Sequence, residues 1–167
     1  MKNEIQSPQS LTLIGASIIR YSYNQILVFD SLESTPGCQW SDAHWQQGFA
    51  RRNSIVSFAT LDQAGTAALS IVEDAGQEEG VVRAIQTSLD VPSGKVCIEG
   101  VDEYPISRYV KLIPGVYRVT ASQRRDSSRL AIFLSFSHSS QFVPSLIIKA
   151  DSLLNPRGEL LETSDIP

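Results

Sequence analysis

Pro114-Gly115-Val116-Tyr117-Arg118-Val119-Thr120-Ala121 holds a turn and the strand that leaves it. Pro ahead of Gly is the order that type I and type II turns prefer. From Tyr117 to Ala121 apolar and polar side chains alternate, as on a sheet with one face on a core and the other in water. Asp90-Val91-Pro92-Ser93-Gly94 followed by Lys95-Val96-Cys97-Ile98-Glu99 repeats the pattern. Working outward, short β-branched runs between turn residues predict strands over 12–20, 25–30, 55–60, 67–73, 81–89, 95–101, 108–113, 116–122, 130–137 and 145–149. Strands at this spacing predict an all-β fold, an antiparallel β-sandwich.

One stretch breaks the pattern. Ser41-Asp42-Ala43-His44-Trp45-Gln46-Gln47-Gly48-Phe49-Ala50 predicts one short helix over 41–50. Ser41 serves as N-cap, Asp42 suits the positive end of the helix, and Trp40 is placed to staple against Trp45. Trp45 and Phe49, four apart, would share a face, and Gly48 limits the length. Arg51 and Arg52 would then follow the helix at its negative end. Two readings of Trp40 and Trp45 stand: a plug for one end of the sandwich, or an exposed anchor for a partner.

The chain has 167 residues, enough for one domain with one core, assigned to 10–154. Residues 1–9 and 155–167 lack periodicity and are expected to be flexible tails. Fourteen Lys and Arg against eighteen Asp and Glu leave a net charge of −4, which disfavours binding to a phosphate backbone. Residues 62–103 carry nine acids against two bases, and 104–129 carry six bases against the single acid Asp126. Neighbouring strands could cancel these charges across a sheet, or the acids could form a face for a basic partner. Met1-Lys2-Asn3-Glu4 has no clustered positive charge, and no run approaches the roughly 18 apolar residues of a membrane span, so a cytoplasmic location is expected. Cys38 and Cys97, far apart and without a CxxC pattern, are expected as reduced, core-filling thiols.

Catalysis finds little material. His44 and His138 fall in no GxSxG or HExxH frame, and the paired carboxylates Glu73-Asp74, Glu78-Glu79 and Asp102-Glu103 sit at apparent turns. No metal, no cofactor and no enzymatic activity are expected. The loop 75–80 would repel phosphate with Glu78 and Glu79. Two further readings remain: a carbohydrate- or peptide-binding sandwich using Trp40 and Trp45 as a stacking platform, and an enzyme pairing His44 with Asp30 or Asp42.

Ser22-Tyr23-Asn24-Gln25-Ile26-Leu27-Val28-Phe29, Trp40-Ser41-Asp42, Gly48-Phe49-Ala50 and Val56-Ser57-Phe58 resemble the front half of the competence protein J family. Leu89 to Glu99 and Pro114 to Thr120 resemble its later strands, so the likeness runs from about Tyr21 to Phe136. Residues 11–20 and those past Ser137 have no counterpart in it. The resemblance implies a cytoplasmic inhibitor or immunity protein that binds a non-specific DNA nuclease, with no direct contact to nucleic acid. It transfers no binding motif position by position. From the residues themselves, the partner-binding candidates are Glu73, Asp74, Glu78, Glu79, Asp102 and Glu103 for steering, with Trp40 and Trp45 as anchors.

Overall fold

Alternation along each strand decides which side chains meet, and the strands sort into two sheets. The computed structural model describes residues 17–103 and 108–167; the expected tail 1–9 and the first part of the 12–20 strand lie outside the described residues. Eleven strands and one α-helix are present there. One sheet has the order β1 (Ser17–Tyr21), β5 (Gly65–Ile71), β10 (Arg129–Ser139), β9 (Gly115–Asp126), β6 (Arg83–Val91), β11 (Leu146–Lys149). The other has the order β3 (Phe49–Arg52), β4 (Ile55–Ala59), β2 (Gln25–Asp30), β7 (Lys95–Gly100), β8 (Tyr109–Lys111).

Between the sheets, Ile26, Val28, Phe58 and Ile98 meet Leu69, Ile85, Val119, Ile132 and Leu134, all buried in one cluster. Each such aliphatic or aromatic side chain contributes about 1.5–3 kcal/mol by leaving water. The outer faces are not bare. The 31–41 segment brings Cys38 and Trp40 over Leu27, Phe29, Ala50 and Ile55 on the five-stranded sheet. The segment after β5 brings Val72, Ala75 and Val81 over Ala84, Ala131 and Phe133 on the six-stranded sheet. Cys38 and Cys97 are free, the first buried and the second half-buried.

Two departures from the sequence reading stand out, and the first has a local cause. The helix, α1, spans Asp42–Gln47 and stops before residue 50. Gly48 sits at φ 84° and donates its N–H to the His44 carbonyl, which closes the last turn and turns the chain aside. Phe49 then opens β3 opposite Phe58, fully buried, and shares no helix face with Trp45; Arg51 and Arg52 are strand residues and not a helix terminus. The second departure is pairing: β5 lies parallel to β10, Ala67 opposite Leu130, within an otherwise antiparallel arrangement.

Residues 155–167 carry no helix or strand, yet they run along α1 and the edge of β3. Asn155 donates to Gln46 O, Gln47 exchanges bonds with both backbone groups of Leu161, Ser164 donates to Arg51 O and Gln39 to Asp165 O. Arg51 donates to the Glu162 carbonyl at 3.0 Å, and the Glu162 carboxylate accepts from Ser145 N and Oγ at 2.7 Å each. The segment therefore closes the side of the sandwich between β3 and β11.

Candidate interaction surface

Strand directions gather several of the expected residues at one end of the sandwich. The β1–β2 turn, the β4–β5 loop, the exit of β7, the β9–β10 hairpin, the entry to β6 and the end of α1 all lie there. The registers show it: Tyr21 opposes Gly65, Gln25 opposes Ala59, Ile26 opposes Gly100, and Arg83 opposes Gln123. The sheets are joined at this end, where the Ala59 carbonyl accepts from Arg83 Nη1 at 2.9 Å and Gln123 Nε2 at 2.8 Å.

Ser41 caps α1 by accepting from His44 N, and the residues on either side of it form the aromatic part of this end. Trp40 and Trp45 stack with centroids 4.1 Å apart and planes at 25°, the staple that the sequence predicts. Trp40 Nε1 donates to Gln25 Oε1 at 2.9 Å, which also accepts from Ser57 Oγ at 2.8 Å. Trp40 thus packs on the outer face of the five-stranded sheet and not between the sheets, and Trp45, 38% exposed, turns its free side to solvent. His44 is buried, and its ring is engaged by the fold. Its Nδ1 accepts from Ser41 N at 3.0 Å, which leaves Nε2 to donate to Thr163 O at 3.1 Å. Asp30 is distant in role, accepting from Leu32 N, Ser93 N and Ser93 Oγ.

The acids divide three ways. Glu73 and Asp74 are exposed but lie partway along the outer face of the six-stranded sheet, because β5 ends opposite Leu134 in the middle of β10. There Asp74 Oδ1 accepts from Gly76 N at 3.0 Å, capping the 3-10 turn Ala75–Gln77, and Ala75 N donates to Ser135 Oγ. Glu78 and Glu79 return to the common end beside Arg124. That guanidinium donates to Glu79 O at 2.9 Å and to Asp126 Oδ1 at 2.8 Å, and stands 5.0 Å over the Phe133 ring. The Asp126 hydrogen bond holds Arg124 above its ordinary pKa, with Asp126, Glu78 and Glu79 charges adding to it against its own desolvation. Next to it, Arg125 pairs with Asp62 at 2.6 Å. Part of the acidic segment is therefore cancelled by the basic one, and Glu78 and Glu79 keep their carboxylates without a salt bridge among the described residues.

Asp102 and Glu103 follow β7 at the same end but do different work. Glu103 Oε1 accepts from Arg108 Nη1 at 2.9 Å and Gly100 N at 3.2 Å, while Oε2 accepts from Arg20 N at 2.8 Å. Burial pushes its carboxyl up, but the Arg108 hydrogen bonds and the Arg20 and Gly100 amides outweigh it and hold the group below the usual range. Arg108 also donates to Ile18 O and Ile98 O, so this pair fastens β1 to β7. Asp102 is exposed, at φ 64°.

Sequence reasoning missed Tyr23, more exposed than Trp45 at this end. Tyr23 and Asn24 occupy the two central positions of the β1–β2 turn at φ 53° and 57°, and Tyr23 is 62% exposed. The signal was present: a two-residue connection between strands needs positive φ, which Asn favours and Tyr resists. The structure thus brings Trp40, Trp45, Glu78, Glu79, Asp102 and Tyr23 to one end, leaves Glu73 and Asp74 on a face, and puts Glu103 inside the fold.

The family of competence protein J (ComJ) matches residues 18–137. No curated protein matches the chain in sequence. Among solved structures, the chain is similar to ComJ of Bacillus subtilis, described as an inhibitor of the DNA-degrading activity of NucA. The TM-score is 0.62 at 16% identity, over 79% of this chain and 98% of that one. The protein described as crocagin biosynthetic gene J aligns with a TM-score of 0.42 and 18% identity, over 73% of this chain and 98% of the other.

Proposed function

The chain belongs to the competence protein J (ComJ) family, and on that premise we propose that it is a cytoplasmic inhibitor or immunity protein that binds and blocks a non-specific DNA nuclease. It acts by occupying the enzyme, without making or breaking covalent bonds. The observation that carries the reading beyond family membership is the end of the sandwich that displays Trp45, Tyr23, Glu78, Glu79 and Asp102 together. A nuclease that handles DNA of any sequence holds the phosphates in a positive groove. Carboxylates raise the rate of encounter with such a groove, and partly exposed aromatics on a rigid frame set the rate of departure. Glu73 and Asp74, one face away, add to the long-range field without meeting the same contact.

Both loops and helix termini at this end are fixed by hydrogen bonds to the sheets, so the surface is formed before the partner arrives, which lowers the entropic cost of docking. The test is direct. The purified chain is mixed with a purified non-specific DNA nuclease encoded in the same genome, and cleavage of duplex DNA is followed together with the mass of the mixture. A one-to-one complex and stoichiometric loss of cleavage are expected. Undiminished cleavage with the two proteins migrating separately overturns the reading.

A further inference from the structure

We propose that Tyr23 and Asp102 together receive a basic side chain, lysine or arginine, of the partner, the ring face on one side and the carboxylate on the other. This deepens the nuclease-inhibitor reading and rests on it. Two neighbouring loop tips carry non-glycine residues in the left-handed region: Tyr23 and Asn24 at φ 53° and 57°, and Asp102 at φ 64°. Asn and Asp enter that region readily, but a tyrosine there is a genuine outlier. Its side chain, 62% exposed, returns little of that cost to the fold by burial. Strain held without a gain in packing points to use at a surface.

The two tips are tied to each other and to their surroundings. Ser22 Oγ donates to Val101 O at 2.8 Å, so the residues just before Tyr23 and just before Asp102 are bonded. Asn24 N donates to Gln63 O and Thr60 N to Asn24 O, each at 2.8 Å, and the turn closes through Gln25 N to Ser22 O at 3.2 Å. On the other tip, Glu103 N donates to Gly100 O, and the Glu103 carboxylate is held by Arg20, Gly100 and Arg108. The backbones are fixed, and both side chains are exposed. Among the described residues Asp102 makes no ion pair. An aromatic ring and a carboxylate on two tips bonded to each other match the recognition chemistry of a cation, and a phosphate-binding groove offers lysines and arginines.

The experiment compares Tyr23→Gly, Asp102→Gly and Tyr23→Phe with the parent chain. Each is titrated into the purified same-genome nuclease with duplex DNA as substrate, and its thermal midpoint is measured alone. Glycine accepts positive φ, so the glycine variants are expected to melt at or above the parent temperature while inhibition weakens by at least about tenfold, as on truncating an interface anchor. Tyr23→Phe keeps the ring face and is expected to inhibit within about twofold of the parent. Should a glycine variant lose structure, Tyr23→Asn and Asp102→Asn, which tolerate the same backbone, carry the comparison. Parental inhibition by both glycine variants overturns the proposal and leaves the inhibitor reading intact. A loss in Tyr23→Phe equal to that in Tyr23→Gly overturns the ring-face contact. If the parent chain itself leaves the nuclease active, the inhibitor reading falls and this inference with it.

Discussion

Arg83 and Asp151 form a two-pronged ion pair, Nε to Oδ1 at 2.7 Å and Nη2 to Oδ2 at 3.0 Å, with the arginine side chain 2% exposed. Arg83 opens β6, Asp151 follows β11, and the third prong of the guanidinium reaches Ala59 O across the sandwich. The pair thus fixes a segment beyond the family match to both sheets. Asp151→Ala leaves the guanidinium buried and uncompensated, so a loss of about 3–5 kcal/mol is expected. Urea unfolding followed by tryptophan fluorescence checks it, and an unchanged midpoint would mean that water or a neighbour takes the place of the carboxylate.

The same carboxylate shapes the response to acid. Burial raises the Asp151 carboxyl, but the Arg83 hydrogen bonds and charge overcome this and set it below its ordinary value. Glu103 is set low in the same sense by Arg108 and two amides. A group depressed in the folded state stabilises fully above its unfolded value and loses that contribution as pH falls through the folded one. Stability is therefore expected to be flat at neutral pH and to fall below about pH 4, where free carboxyls begin to protonate. In Asp151→Asn the acid limb is shallower, and a limb as steep as the parent's would assign it to other groups.

Gly48 ends α1 where a side chain would be strained and crowded. At φ 84° an added Cβ meets Leu154 Cδ2 at 2.8 Å and Ile85 Cδ1 at 2.9 Å. Gly48→Ala therefore combines left-handed strain with overpacking and is expected to destabilise by about 2 kcal/mol or more. Thermal melting tests it, with a midpoint equal to the parent's as the contrary result.

Glu78 and Glu79 offer the electrostatic test of the proposed function. Glu78→Lys with Glu79→Lys is expected to slow association with the nuclease by about tenfold at low salt, the difference shrinking as salt screens it. Stopped-flow association across a salt series measures this, and identical slopes for parent and variant would remove the acidic tip from the encounter.

Local chemistry was legible in the sequence where it is self-contained. The strands at Gln25–Asp30 and Ile55–Ala59, the Ser41 cap and the Trp40–Trp45 stack follow from neighbouring residues alone. Strand β3 was hidden because Trp45 and Phe49 stand at helical spacing, and only the buried partner Phe58 claims Phe49 for the sheet. The parallel pairing of Ala67 with Leu130 joins residues far apart in the chain, for which spacing holds no signal. Glu103 reads as the twin of Asp102, yet Arg108 and two backbone amides take it into the fold. Tyr23 escaped because its signal lies in the geometry of a two-residue turn and not in strand periodicity.

Dependence of Arg83 on Asp151 also orders events during synthesis. As the ribosome extrudes the chain, β6 emerges long before its counter-ion, and β5 waits for β10 to arrive alongside. The nascent domain cannot reach its final state until Asp151 has left the ribosome. A stalled product lacking Asp151 is accordingly expected to be a substrate for chaperones and proteases.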